Sequence, residues 1–397
     1  MFNNNSVFAI VAFFQLYGVK IFGVIDTSLL VLLVVILLSS QFKIKKISFD
    51  KRFIVLIFLI AVIAVYTLCM LVLNEVYEFY SFFRLLRALL STILIMVYLH
   101  FSNIGENVAI RILIFCIALH ALMLLLQVFI PSVKEVTALI VGYDKELIEM
   151  RSFGLVSAYD TAGAYLLIGM ILSAYLVFIY KKHFYFMFVM FFWVAGMVTG
   201  RSFMVFGTLL FMLLTYLYII RVRRHVISKA TLALFLVVFS VIFIEYVFPL
   251  LEASFRFVLD ENYSPMPKLS GSGYYIGTLS VLADHVLFPG DESVLVFGGA
   301  EIPASTDIGY IKLIHSVGVF GLFFYFIVYY KAYSYVRKYN KSGAIYLFLP
   351  LLIITFMYNY KMLTFASRGY HELIVLLMLL LVGVGTRGGR YVNRLAT

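Results

Sequence analysis

The chain has 397 residues, of which 64% are hydrophobic and 13% charged, about half the charged fraction of an ordinary soluble domain. So few polar residues cannot cover a water-facing surface, which excludes a soluble globular enzyme. The net charge of +11 does not indicate nucleic acid, because the basic residues stand in short clusters between apolar runs rather than on one polar face.

Apolar runs of about 17 to 23 residues recur along the chain, close to the length a helix needs to cross a bilayer. Backbone groups in lipid must be satisfied within the segment, so these runs predict helices. The expected fold is an all-α, polytopic membrane helical bundle forming one domain over 1–397. In chain order the predicted spans are 6–22, 25–42, 53–73, 82–101, 108–130, 161–180, 184–199, 202–220, 230–250, 308–330, 344–360 and 370–385. The opening MFNNNSVF lacks the basic region and small-residue cleavage site of a secretory signal, so the first run is expected to stay as a helix. Cys69 and Cys116 fall inside apolar runs, where neither a disulfide nor thiol chemistry is expected.

Twelve spans with a cytoplasmic N-terminus put nineteen Lys and Arg residues in the even-numbered connections and the C-terminal tail, against eight in the other connections. That asymmetry is the positive-inside pattern of a cytoplasmic (inner) membrane protein with both termini in the cytoplasm. Two outer segments exceed a turn: a first outer loop at 131–160, and a large extracytoplasmic loop at 251–307 between the ninth and tenth helices. Within the second, 274–287 reads as a short amphipathic helix stopped by Pro289 and Gly290.

The sequence lacks a P-loop, a dinucleotide-binding glycine pattern, HExxH, an Asp-x-Asp pair and any Cys or His cluster with metal spacing. No cofactor or metal is therefore expected, and a reaction here would use a donor already activated in the membrane. The informative residues are charges where lipid penalises them. Arg84, Arg87, Arg151, Arg201 and Arg368 all fall on the outer side, against the orientation bias. Their forked, permanently charged guanidinium groups match phosphate oxygens, which points to an outer site for a lipid diphosphate. The bland alternative is that each of these arginines snorkels to the interface or pairs with Glu75, Glu78 or Glu372. Asp160 stands where it can cap the sixth helix, and His371 and Glu372 where they can anchor the twelfth.

RSFGLVSAYDTAGAYL from Arg151, TGRSFMVFG from Thr199, and the run from Ser272 through ASTDIGYIKLIHSVGVFG resemble the O-antigen polymerase and ligase superfamily of bacterial envelope proteins. The elements that carry the resemblance are Arg151 with Gly154, Gly200 with Arg201, and Gly309, Tyr310, Gly318 and Gly321 after a long outer loop. Ligases of that family usually have a His where this chain has Asp307, which favours the polymerase branch. Many members also have an Arg at the start of the outer amphipathic helix, where this chain has Ser270, Gly271 and Ser272, with Arg256 and Lys268 nearby.

The resemblance implies metal-independent transfer of a growing glycan from undecaprenyl diphosphate to the non-reducing end of another undecaprenyl-diphosphate-linked oligosaccharide. Arg151, Arg201 and Asp307 would be catalytic, while Arg84, Arg87, Arg256, His285, Tyr310 and Arg368 would bind substrate. Membrane lipid is an expected partner, a chain-length regulator protein is admitted as another, and nucleic acid is not expected. The alternatives are an O-antigen ligase and a polysaccharide-lipid transporter or flippase. The halves of the chain differ sharply, unlike the related halves of many transporters.

Overall fold

The computed structural model describes residues 4–18, 20–21, 25–40, 51–77, 79–102, 104–141, 152–156, 159–199, 201–222, 237–238, 286–303, 308–339, 343–360 and 363–384. The chain is helical: among the described residues the only β structure is an antiparallel two-residue ladder, Lys20–Ile21 against Ile25–Asp26. The helices are α1 (Asn4–Tyr17), α2 (Thr27–Ser40), α3 (Lys51–Leu73), α4 (Tyr80–Ser102), α5 (Glu106–Phe129), α6 (Pro131–Val141), α7 (Tyr159–Phe178), α8 (Phe186–Gly196), α9 (Arg201–Val222), α10 (Glu292–Phe297), α11 (Gly309–Tyr339), α12 (Ile345–Tyr358) and α13 (Tyr370–Val382).

Five of the described helices, α3, α4, α5, α7 and α11, are long and apolar enough to cross a membrane. In α3 the buried residues Phe53, Leu56, Ile60, Ile63, Ala64, Thr67 and Leu71 follow helical spacing along one face. Ile54, Val55, Phe58, Val65 and Val72 are exposed instead. A helix as apolar outside as inside has lipid, not water, as its outer solvent, and the protein is a membrane protein.

The chain divides into two compact units, one made of Met1–Leu113 with His285–Thr397 and the other of Ile114–Asp284. In the first, α13 is the central helix: every residue from Tyr370 to Val382 is buried, packed against α4, α11, α12 and α1. In the second, α7 has the central place, almost wholly buried and packed against α8 and α9.

Several boundaries differ from the sequence reading. The 131–160 segment contains helix α6, opened by Pro131 at the first helical position where its missing N–H costs nothing. Helix α11 runs to Tyr339 rather than 330, because Ala332, Tyr335 and Val336 continue the buried face. It is broken at Gly318 (φ 68°, ψ −179°). The run 184–199 starts as a 3-10 turn, His183–Tyr185, and its helix ends at Gly196. Except for residues 237–238, the ninth predicted span lies outside the described residues, as does 274–285 of the expected amphipathic helix; Val286 and Leu287, its last two positions, are not helical.

Candidate functional site

In the first unit, the turn before α13 is built by Asn359, whose Oδ1 accepts from the Thr364 amide (2.9 Å) and hydroxyl (3.0 Å). Glu372 then reaches back to the turn, its Oε2 accepting from the Gly369 amide at 2.7 Å, as a third-position Glu does at a helix start. The other oxygen, Oε1, lies 2.8 Å from Arg87 Nη1, and the Glu372 side chain is fully buried. Arg87 belongs to the second turn of α4, and its Nη2 donates to the Ala366 carbonyl at 3.5 Å.

Asp26 closes the cluster from the start of α2. Its Oδ1 accepts from the Ser28 amide (2.9 Å) and hydroxyl (2.5 Å) and from Arg368 Nη2 (3.1 Å), while Oδ2 lies 3.6 Å from Arg87 Nη1. Arg84, one turn earlier on α4, buries its Nε without a hydrogen-bond partner among the described residues. Among the described residues, Arg87 and Arg368 thus meet two carboxylates, Asp26 and Glu372, and Arg84 stands one turn from Arg87 on α4. One turn further along α4, Thr92 Oγ1 lies 2.9 Å from His371 Nε2. Each ion pair desolvates its charges, so the cluster is tolerable in an apolar bundle only because most members are matched.

The end of the 251–307 segment is fastened nearby in the same unit. Asp291 caps α10 by accepting from the Ser293 amide at 2.7 Å. After α10, the amides of Gly299 and Ala300 donate to the carbonyls of His315 (2.7 Å) and Ser316 (3.0 Å), which the break at Gly318 releases from helical pairing. Ser81 donates to the Ala300 carbonyl (2.9 Å) and Tyr66 to that of Phe297 (2.6 Å), tying the segment to α3 and α4.

The second unit holds the segment after Arg151. Gln127 on α5 accepts through Oε1 from the amides of Phe153 (3.0 Å) and Gly154 (2.9 Å) and donates through Nε2 to the Gly154 carbonyl (2.9 Å) and Thr137 hydroxyl (2.9 Å). His120 Nδ1 accepts from the Leu155 amide at 3.0 Å. A Cβ on Gly154 (φ +63°) would lie 2.5 Å from the His120 ring. The Ser152 amide donates to the Val198 carbonyl at 3.4 Å. The backbones flanking Arg151 and Arg201 therefore meet.

Of the residues named from sequence, Arg87 and Arg368 come together on Asp26, with Arg84 one turn from Arg87 on α4. The pairing of Arg87 with Glu372 is the internal ion pair weighed as an alternative for it. Tyr310, half-buried, donates its hydroxyl to the Phe356 carbonyl at 2.8 Å, and its amide donates to the Asn359 carbonyl at 3.2 Å. Arg201 is the first residue of α9, but its side chain lies outside the described residues, as do Arg151, Arg256, His285 and Asp307 altogether. Asp26, Gln127 and His120 were not singled out from sequence. The only local signal for Asp26 is an Asp-Thr-Ser helix start, and for the other two, polar side chains within an apolar run. No protein-family model matches the chain, and no curated protein matches it.

Proposed function

We propose that the protein is a membrane glycosyltransferase that polymerises lipid-linked oligosaccharide repeat units. It would move the growing glycan from undecaprenyl diphosphate to the non-reducing end of a new lipid-linked unit. In this reading twelve helices span the inner membrane, both termini are cytoplasmic, and the active site opens to the periplasm. The observation that carries it is the hydrogen bond between Ser152 and Val198, which joins the flanks of the Arg151 and Arg201 segments. Those are two of the motifs on which the family resemblance rests.

The chemistry follows from the side chains. The anomeric carbon–oxygen bond to the donor diphosphate breaks as the acceptor hydroxyl oxygen bonds to that carbon. Arg151 and Arg201 stabilise the departing diphosphate, taking the place of a metal ion. Asp307 binds the acceptor hydroxyl and takes its proton. Arg84, Arg87 and Arg368 draw the anionic lipid headgroup, while Arg256, His285 and Tyr310 contact the glycan and phosphates. Deleting the protein from its host tests this reading: the surface glycan should collapse to a single repeat unit, and an unchanged ladder would contradict it.

A further inference from the structure

We propose that the first unit binds the phosphodiester headgroup of an anionic phospholipid in a basic cavity between the start of α3 and the last turns of α11. The cavity, of about 210 Å³, is lined by Arg52, Val55, Lys331, Ser334 and Tyr335. Among the described residues, every polar side chain in that lining can donate a hydrogen bond and none is acidic, so its chemistry suits a phosphate and repels a cation.

The position of the cavity favours a lipid over a soluble anion. Beyond its break at Gly318, helix α11 continues to Tyr339, roughly 30 Å of helix, which matches a hydrocarbon core about 30 Å thick. Its last turns therefore extend to headgroup level. Lys331, Ser334, Tyr335 and Lys338 recur there at positions three and four apart, which places them along one face. Phe53, buried beside Arg52, meets the Tyr335 ring with centroids 6.3 Å apart, and this contact fixes the spacing of the two helices. Val55 is an exposed apolar residue one turn into α3, so the lining passes from charge to hydrocarbon within a few residues. A glycerophospholipid makes the same transition. The cavity lies on the side that the charge asymmetry assigns to the cytoplasm, and basic pockets between helices on that side take anionic headgroups.

The test uses full-length protein purified in detergent and equilibrated with phosphatidylglycerol or phosphatidylcholine, with retained lipid counted by native mass spectrometry. The wild type should retain the anionic lipid on the order of tenfold over the zwitterionic one. R52Q/K331Q should bring the two to parity. R111Q/K181Q, which removes the same charge from exposed sites elsewhere, should keep the preference, and millimolar inorganic phosphate should not displace the lipid. The proposal is overturned by wild-type parity, by an unchanged preference in R52Q/K331Q, by an equal loss in R111Q/K181Q, or by displacement with phosphate, which would make this a soluble-anion site.

Discussion

Arg87 Nη1 lies 2.8 Å from Glu372 Oε1, with the carboxylate fully buried and the arginine 14% exposed. Removing one member of such a pair leaves the other charge desolvated and costs about 3 to 5 kcal/mol, whereas removing both costs far less. Glu372→Ala should therefore lower the thermal midpoint of detergent-solubilised protein sharply. Adding Arg87→Met should restore part of the stability. Additive destabilisation in the double variant would mean that the two residues are not coupled.

Gly298 and Gly318 meet backbone to backbone. A Cβ on Gly318 would lie 2.2 Å from the Val296 carbonyl oxygen, and one on Gly298 would lie 2.6 Å from the Gly318 amide. Both have positive φ, a region that is costly for other residues by about 1 to 3 kcal/mol even without the overlap. Gly318→Ala should destabilise the protein and expose the 291–300 segment to limited proteolysis. Gly321→Ala should also destabilise it, because a Cβ there would meet the Val317 side chain at 2.3 Å, but should leave the cleavage pattern of that segment unchanged.

Gln127 makes four hydrogen bonds, three of them to the backbone of Phe153 and Gly154. Gln127→Ala would leave those buried groups unpaired at about 1 to 3 kcal/mol for each that water does not reach. Faster amide exchange at residues 152–156, read by hydrogen–deuterium exchange mass spectrometry, is the expected result. Exchange equal to that of the wild type would show that the segment is held by other interactions.

Arg151→Ala and Arg201→Ala should each abolish polymer at unchanged membrane level. Deleting a guanidinium that grips two phosphate oxygens in a dry site costs about 2 to 4 kcal/mol of transition-state stabilisation, or roughly two to three orders of magnitude in rate. Arg→Lys at either position should remain poor, because an ammonium cannot bridge two oxygens. Full-length glycan ladders from both alanine variants would remove the diphosphate-site reading.

Helices were legible in the sequence where apolar length alone decides them. The runs 53–73 and 82–101 became Lys51–Leu73 and Tyr80–Ser102. The run to 385 stops at Val382 because Gly383 takes the left-handed cap position (φ 88°). The break in α11 was not legible, since Gly318 and Gly321 look alike in sequence and only the close approach of the Val296 and Phe297 backbone marks out Gly318. Sequence pointed to Arg84, Arg87 and Arg368 because basic residues on the outer side run against the orientation bias and need a reason. Asp26 left no such sign, because it meets Arg368 across 342 positions of chain, a pairing that only the packing of α2, α4 and α13 creates. Gln127 and His120 read as isolated polar residues because the backbone they hold is 26 to 35 positions away.

The most direct measurement is product length from the purified protein. Wild-type protein in lipid nanodiscs is given a synthetic undecaprenyl-diphosphate-linked repeat unit with excess chelator, and the products are resolved by mass. The account predicts a ladder of lipid-linked oligomers spaced by one repeat unit, with undecaprenyl diphosphate released at each step. Unextended substrate from folded protein, or extension that requires added divalent metal, would contradict it.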